Sequence, residues 1–288
     1  MAGRIVVGTA GWSAEEWYPE GLAPRDRLAE HAQRFEGVEV DSTFYALPAR
    51  RTVTRWASVT PPGFTLDVKL HRLLSRHAAP LSSLPTDLRE LAEVNERGRV
   101  TLTAELEDAV CRRTLETFEP LHEAGKLSSF LLQLTPAFEP GSHSLDELDS
   151  VVQALAPVPV AIELRHRAWL NDAGATIAWF KAAGVAFVCV DAPATDAPVV
   201  LPPYDAVTRG DLAYLRAHGR NAEGYLKGRT AGERFTYAYA EDELAELAGR
   251  ARRLAGDAET VRVMFANGGH ALDAACRIRD ILGDHYET

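Results

Sequence analysis

Short β-rich runs alternate with helical segments along most of this chain, and this alternation is the feature that most constrains its fold. Eight such runs occur in the 288 residues. A strand followed by a helix and another strand is typical of a parallel sheet. Eight units in a chain of this length favour closure into a (β/α)₈ TIM barrel, and we predict one α/β domain over residues 1–288. The runs cover 5–10, 37–42, 64–69, 130–134, 159–164, 186–191, 212–219 and 261–267.

The connections between these runs are of two kinds. Regular connections have helical periodicity, and several begin with the polar or acidic residues that helix amino ends prefer. Two connections are irregular: residues 70–129 form an elaborated insertion with helical stretches at 86–98 and 108–125, and residues 192–211 are predicted to be a long loop in place of the sixth helix. The regular helices are predicted at 24–35, 144–156, 172–184, 240–255 and 271–282.

Composition narrows the classes of partner. The formal net charge is −10 at pH 7, and an acidic surface repels phosphate backbones, so nucleic-acid binding is disfavoured. Three widely spaced cysteines predict reduced thiols and neither a disulfide frame nor a zinc knuckle. No apolar run approaches the ~18 residues that span a bilayer, and no secretory signal pattern opens the chain. We therefore expect a cytoplasmic protein without a membrane partner.

Side chains alternate across a strand, and in six of the runs one face is apolar while the other is polar or small. The outer face of a parallel barrel packs on helices, so the polar faces are predicted to point into the lumen and to form a site at the carboxyl ends of the strands. Salt bridges alone could explain such a set, but nine ionisable side chains favour a functional pocket. The set comprises Glu39, Asp41, Asp67, Glu163, Asp191, Lys69, Arg165, Arg216 and His218.

Several longer motifs match one known family in order along the chain. They include GTAGWS (8–13), VEVDSTFYALP (38–48), FLLQLTPAF (130–138), AIELRHRAW (161–169) and LRAHGRN (215–221). In these motifs the chain resembles the YecE-like barrels, domain-of-unknown-function family seventy-two. The resemblance implies a (β/α)₈ barrel distantly related to the endonuclease IV and xylose isomerase group, and it implies no established activity. Two departures are Asp41, where that family usually has Asn, and a last strand in which only Asn267 matches the usual Phe-Asn-Asn pattern.

The candidate residues differ in the chemistry that they can supply. Carboxylates and a histidine at strand ends could transfer protons, guanidinium forks suit carboxylate or phosphate groups, and aromatic rings could flank a ring of the ligand. The predicted catalytic residues are Glu163, His218, Asp191 and Lys69. The predicted ligand-binding residues are Arg165, Arg220, Glu39, Asp41, Gln133, Trp12, Tyr45 and Asn267.

Three functions remain open at this point. The first is acid–base catalysis, without a cofactor, on a small phosphorylated or carboxylated ligand that contains a ring. The second is a metal-dependent phosphodiesterase or nuclease of the endonuclease IV kind. Five carboxylates could hold one Mg²⁺ or Mn²⁺, but a zinc cluster would need more strand-end histidines than His218, and no metal ligand is assigned. The third is a protein that binds a ligand or partner without catalysis.

Overall fold

Eight parallel strands surround a common axis and form a nearly closed barrel. The structure, a computed structural model, describes residues 2–283, without the side chains of residues 231 and 232. The strands in chain order are β1 (Arg4–Thr9), β2 (Gly37–Val40), β3 (Thr65–Lys69), β4 (Glu93–Val94), β5 (Val100–Thr101), β6 (Leu127–Gln133), β7 (Val160–Glu163), β8 (Ala186–Asp191), β9 (Ala213–Ala217) and β10 (Thr260–Phe265).

Hydrogen bonding joins the barrel strands in the order β1-β10-β9-β8-β7-β6-β3-β2. A bridge between Ala10 and Glu39 connects the two ends of this sheet, and the Gly11 amide donates to the Glu39 carbonyl oxygen at 2.8 Å. The predicted eight-stranded parallel barrel is therefore confirmed. The two remaining strands, β4 and β5, pair with each other in an antiparallel hairpin.

Helices cover the outside of the barrel, and polar residues set the bounds of several of them. The Asp172 carboxylate, for example, accepts from the Ala175 amide at the start of α5 (Ala173–Ala183), and Gly184 ends that helix with a φ of 66°. This is a left-handed conformation that glycine adopts at little cost. None of the helices within residues 2–283 has the length and apolar content needed to cross a bilayer. They are α1 (Arg27–His31), α2 (Arg50–Val59), α3 (Ala104–Glu123), α4 (Asp149–Ala154), α5 (Ala173–Ala183), α6 (Ala222–Lys227), α7 (Ala231–Phe235), α8 (Glu241–Ala255) and α9 (Ala271–Leu282).

The insertion between β3 and β6 differs from the prediction in one stretch. Residues 86–98 were expected to be helical, but they form a 3₁₀ helix over Thr86–Leu91 and then enter the β4–β5 hairpin. The side-chain oxygen of Asn95 accepts from the amides of Arg97 and Arg99, and such local bonds compete with helix formation. The second predicted helix is present as α3. The described residues 192–211 contain no helix, as predicted.

The orientation of β8 corrects the predicted inward face of that strand. Val190 is paired with Arg216 of β9, and since paired neighbours in a sheet point to the same side, both enter the lumen. Asp191 therefore points outward. So does Phe187, whose ring packs edge-on against Phe180 of α5 at 5.2 Å between centroids. Both faces of this strand are largely apolar, so alternation alone could not distinguish them.

A buried ion pair fills the lumen below the carboxyl ends of the strands. Arg262 of β10 donates to the Asp67 carboxylate from Nε at 2.7 Å and to the Thr65 hydroxyl at 2.7 Å. The Ser129 hydroxyl donates to the other oxygen of Asp67 at 2.7 Å. Gly37 provides the space, because a Cβ atom there would lie 2.5 Å from the Arg262 guanidinium. The sequence analysis did not predict that Arg262 points into the lumen. The alternation along β10 would have indicated it, because the residues on either side of Arg262 are apolar, as expected of an outward face.

Removing the Asp67 carboxylate should leave the Arg262 guanidinium buried without its ion-pair partner. We expect Asp67→Ala to lower the free energy of unfolding by roughly 3–5 kcal/mol, as measured by urea unfolding. The matched control, Asp87→Ala, breaks an exposed pair with Arg113 and should cost less than about 1 kcal/mol. Equal losses in the two variants would contradict this account of the lumen pair.

Candidate functional site

A buried ionic cluster centred on Arg216 forms the floor of the barrel mouth. The Arg216 guanidinium donates to Glu39 from Nε at 3.0 Å and from Nη2 at 2.5 Å, and to Glu163 from Nη1 at 2.5 Å. The Tyr214 hydroxyl also donates to Glu39, at 3.0 Å. These four side chains are at most 1% exposed. One guanidinium is thus shared between two buried carboxylates from opposite sides of the lumen.

The pKa values of the two carboxylates shift in opposite directions, because the same burial is opposed to different extents by their neighbours. Burial raises the pKa of Glu39 to about 7, against the opposing charge of Arg216. Burial would also raise the pKa of Glu163, but Arg216 and a hydrogen bond from His218 outweigh it and hold that pKa well below 4.5. The Gln133 amide stabilises the same carboxylate, donating at 2.9 Å. Glu163 is therefore ionised at neutral pH and is a weak proton acceptor.

His218 lies beside Glu163 and completes this cluster. Its Nε2 atom is 3.0 Å from a Glu163 oxygen, and burial lowers the pKa of His218 below its ordinary value, so the ring is neutral at pH 7. An ionised carboxylate only accepts, so Nε2 carries the proton. The buried Nδ1 atom has no hydrogen-bond partner among the residues that the structure describes. The Nδ1 lone pair of His218 is therefore not used by any hydrogen bond within the described residues.

A cavity of about 360 Å³ opens above this cluster, and we call it the mouth cavity. A second cavity of about 180 Å³ adjoins it and shares Asp41, Phe235 and Ala266 with it. The second cavity is otherwise lined by Ala10, Phe265, Gly268 and Ala271. The mouth cavity is lined by Asp41, Phe44, Tyr45, Lys69, His77, Gln133, Pro136, Arg165, Arg216, His218, Arg229, Thr230, Arg234, Phe235 and Ala266.

One predicted catalytic residue and several predicted ligand-binding residues meet at the rim of the mouth cavity. Lys69 Nζ is 3.1 Å from an Asp41 oxygen and lies over the Phe44 ring at 4.8 Å. Arg165 donates to the Tyr225 hydroxyl at 2.6 Å, and its Nε atom is 3.7 Å from Glu163. Tyr45 is well exposed at the edge of the cavity, where its ring could contact a ligand.

Asp191 and Arg220 lie outside this site, contrary to the prediction. The two side chains pair with each other between the barrel and the helices, at 2.8 Å between Arg220 Nη2 and an Asp191 oxygen. The Tyr239 hydroxyl donates to Asp191 at 2.7 Å, Arg250 of α8 approaches it to 3.5 Å, and Glu246 accepts from Arg220 at 2.9 Å. This arrangement satisfies Asp191 on the outer face of β8, so its predicted position in the lumen is wrong.

Trp12 and Asn267 are also placed differently from the prediction. Neither is among the described residues that line the mouth cavity. Trp12 packs edge-on against Trp56, with 5.4 Å between ring centroids. Asn267 is buried, and its amide donates to the Tyr237 carbonyl oxygen at 2.8 Å. Trp12 thus contacts α2, and Asn267 contacts the segment before α8, away from the lining of the mouth cavity.

The mouth cavity also contains residues that the sequence reasoning missed. Arg229, Thr230, Arg234 and Phe235 follow β9, and His77 belongs to the insertion after β3. None of them lies in a strand, so strand alternation could not select them. The available signal was their position in long connections after the carboxyl ends of strands, where binding residues of this fold collect.

No cluster of three or more His, Cys, Asp or Glu side chains is arranged to hold a metal ion within the described part of the chain. The carboxylates nearest to the mouth cavity are instead paired with cations. Asp41 pairs with Lys69, and Glu163 pairs with Arg216. Each of these two carboxylates therefore has a cationic side chain beside it.

Comparison with known proteins agrees with the predicted family resemblance. The family described as "Protein of unknown function DUF72" matches residues 6–288. UPF0759 protein YunF of Bacillus subtilis (strain 168) is 27% identical over 291 residues, covering 98% of this chain and 96% of YunF. UPF0759 protein YecE of Escherichia coli (strain K12) is 35% identical over 75 residues, 26% of each chain.

Solved structures of the same family share the fold. A DUF72 family protein from Thermotoga maritima MSB8 has a TM-score of 0.77 at 26% identity and covers 98% of this chain and 100% of its own. A DUF72 family protein from Enterococcus faecalis V583 has a TM-score of 0.75 at 25% identity, covering 97% of this chain and 98% of its own. The barrel is therefore the fold that these proteins have in common.

The raised pKa of Glu39 should make the stability of the folded protein depend on pH. The carboxyl group loses its proton near pH 4.5 in the unfolded chain and near 7 in the folded protein. Between these values the folded state holds a proton that the unfolded chain has released, so rising pH destabilises the fold. From about pH 5 to 8, the free energy of unfolding should fall by roughly 1–3 kcal/mol more in the wild type than in Glu39→Gln. Urea unfolding of both proteins at several pH values in this range measures the two free energies. A difference between them that does not change with pH would contradict the raised pKa.

Proposed function

The chain belongs to the DUF72 family, and we propose that it binds a small anionic molecule containing a ring at the barrel mouth and acts on it by proton transfer. The observation that supports this proposal is the charge of the mouth cavity. Its described lining contains a single carboxylate, Asp41, against five cationic side chains. The cations are Lys69, Arg165, Arg216, Arg229 and Arg234.

The two joined cavities suit a ligand with a charged end and a ring. The mouth cavity supplies guanidinium groups, which can bind carboxylate or phosphate oxygens in pairs. The adjoining cavity is mostly apolar, with Ala10, Phe265 and Ala271 in its lining. Phe235 borders both cavities and could pack against the ring. The combined space is in the range that holds small ligands, roughly 300–1,000 Å³.

Proton transfer is assigned to His218, with Glu163 as a positioning residue. Because Glu163 fixes the proton on Nε2, the Nδ1 lone pair can accept a proton from the ligand. The ionised Glu163 carboxylate would then stabilise the resulting imidazolium. Its own pKa is held too low for it to be the acceptor itself. The charges of Lys69 and Arg165 would neutralise the ligand anion.

Anion binding should depend on Arg165. Thermal stabilisation of the full chain by a panel of phosphorylated and carboxylated sugars and nucleosides would identify ligands. For these ligands Arg165→Ala should weaken binding roughly tenfold or more, because it removes a charge-assisted hydrogen bond. The matched control is Arg167→Ala, which removes an arginine paired with the exposed Asp196 and should bind normally. Unchanged binding in Arg165→Ala would show that the anion contacts other groups.

Turnover should depend on His218. For a ligand found in the panel, His218→Gln should keep the dissociation constant within a few fold, while the rate of conversion should fall roughly 10²–10⁴-fold, because the general base is lost. Product formation measured by mass spectrometry separates these two effects. Unaltered conversion in the variant would exclude His218 as the base, and binding without any conversion in the wild type would indicate a binding protein.

A further inference from the structure

Residues 222–235, which we call the cover segment, follow β9 and reach across the barrel mouth. The segment contains α6 and α7, and Asn221 caps it by accepting from the Gly224 amide at 2.9 Å. Within the segment, Tyr225 is buried, and its hydroxyl accepts a hydrogen bond from Arg165. Phe235 packs against the rings of Tyr225 and His218, at 5.5 and 5.6 Å between centroids. These contacts place the polar residues of the cover segment at the mouth cavity.

The cations on the barrel side of the mouth cavity each lie near a carboxylate of the protein. Lys69 is within 4 Å of Asp41, and Arg216 is within 4 Å of Glu39, Glu163 and Asp41. Arg165 approaches Glu163 to 3.7 Å. Each of these cations therefore has a carboxylate neighbour inside the protein, so part of its charge is compensated before a ligand binds.

The arginines of the cover segment differ from the barrel cations in their ion pairing. Arg229 and Arg234 are exposed, and the guanidinium group of neither forms an ion pair with a carboxylate of the residues that the structure describes. Arg234 donates from Nε to the Gly228 carbonyl oxygen at 2.6 Å, which orients the guanidinium. The neighbouring Glu233 carboxylate accepts from the backbone amide of Arg229, at 2.7 Å. The surplus positive charge of the mouth cavity therefore belongs to two arginines of one segment.

We propose that the ligand is a phosphomonoester whose phosphate is bound by Arg229 and Arg234, an inference that rests on the function proposed above. A phosphate ester carries about −1.5 to −2 charges at pH 7 and three acceptor oxygens, which match two guanidinium forks. A single carboxylate would leave one of these arginines unmatched. The Thr230 hydroxyl already accepts from the Glu233 amide at 3.2 Å, so its hydrogen can be donated to a phosphate oxygen.

The position of the phosphate also orients the rest of the ligand. Phe235 follows Arg234 directly and borders the apolar adjoining cavity. A ring attached to the phosphate through a short linker would therefore extend past Phe235 into that cavity. His218 contacts the Phe235 ring, and the ligand atoms between phosphate and ring would lie closest to it. The cover segment thus selects both the charge of the ligand and its direction.

Phenyl phosphate and benzoate test this assignment, because they share a ring and differ in the anion. Binding of each to the full chain would be measured by calorimetry at constant ionic strength. The variants are Arg229→Gln/Arg234→Gln and a matched control, Arg51→Gln/Arg97→Gln, which removes two exposed arginines outside the mouth cavity. We expect phenyl phosphate to bind the wild type and the control at least roughly tenfold more tightly than benzoate does, and to lose roughly tenfold or more in the cover-segment variant.

Two results would overturn the phosphate assignment. The first is phenyl phosphate binding that is equal in the cover-segment variant and the wild type, or absent from both. The second is benzoate binding at least as tight as that of phenyl phosphate. If carboxylated ligands still bind in an Arg165-dependent manner, the proposed function stands while the phosphate assignment fails. If no anion from either set binds the wild type, both are wrong. Circular dichroism of each variant confirms that it is folded.

Discussion

The buried Arg216 guanidinium is the interaction on which the rest of the site depends. A charge at the axis of a barrel must be compensated within the protein, because water cannot solvate it there. Glu39 and Glu163 supply this compensation from opposite sides of the lumen. Tyr214, His218 and Gln133 donate the further hydrogen bonds that satisfy the carboxylate oxygens. An apolar filling would be simpler for stability, so this network is better explained by the geometry that it imposes on the barrel mouth.

The barrel and its connections contribute different properties to the site. Strand residues form a rigid floor whose charges are paired, and the pairing fixes the proton of His218 on one nitrogen. The connection after β9 adds the cover segment, with two arginines of the mouth cavity whose guanidinium groups form no ion pair among the described residues. Loops can change without altering the barrel core. The strands therefore position the candidate base, whereas the cover segment supplies the groups proposed to recognise the ligand.

The lumen face could be predicted where apolar and polar residues alternate clearly. Val38 and Val40 identify the outward face of β2, so Glu39 had to point inward, and the same contrast places Asp67 and Glu163 correctly. On β8 the alternation is uninformative, because apolar residues occupy both faces. Asp191 was therefore assigned to the lumen, whereas it pairs with Arg220 in the outer layer. A polar residue is stable on either face of a strand when another side chain pairs with it. The residues of the strand itself do not show whether such a partner exists.

The sequence by itself determined the eight-unit barrel and most of its inward-facing charges, because periodicity and the apolar contact with helices are local properties of each strand. Only the tertiary structure decided which charges pair and which residues reach the mouth cavity. Arg262 lies opposite Asp67, Asp191 lies outside the lumen, and the cover segment brings Arg229 and Arg234 over the floor. These outcomes depend on contacts between segments far apart along the chain. The free energy of such a contact leaves no pattern in the sequence around either of the two residues that form it.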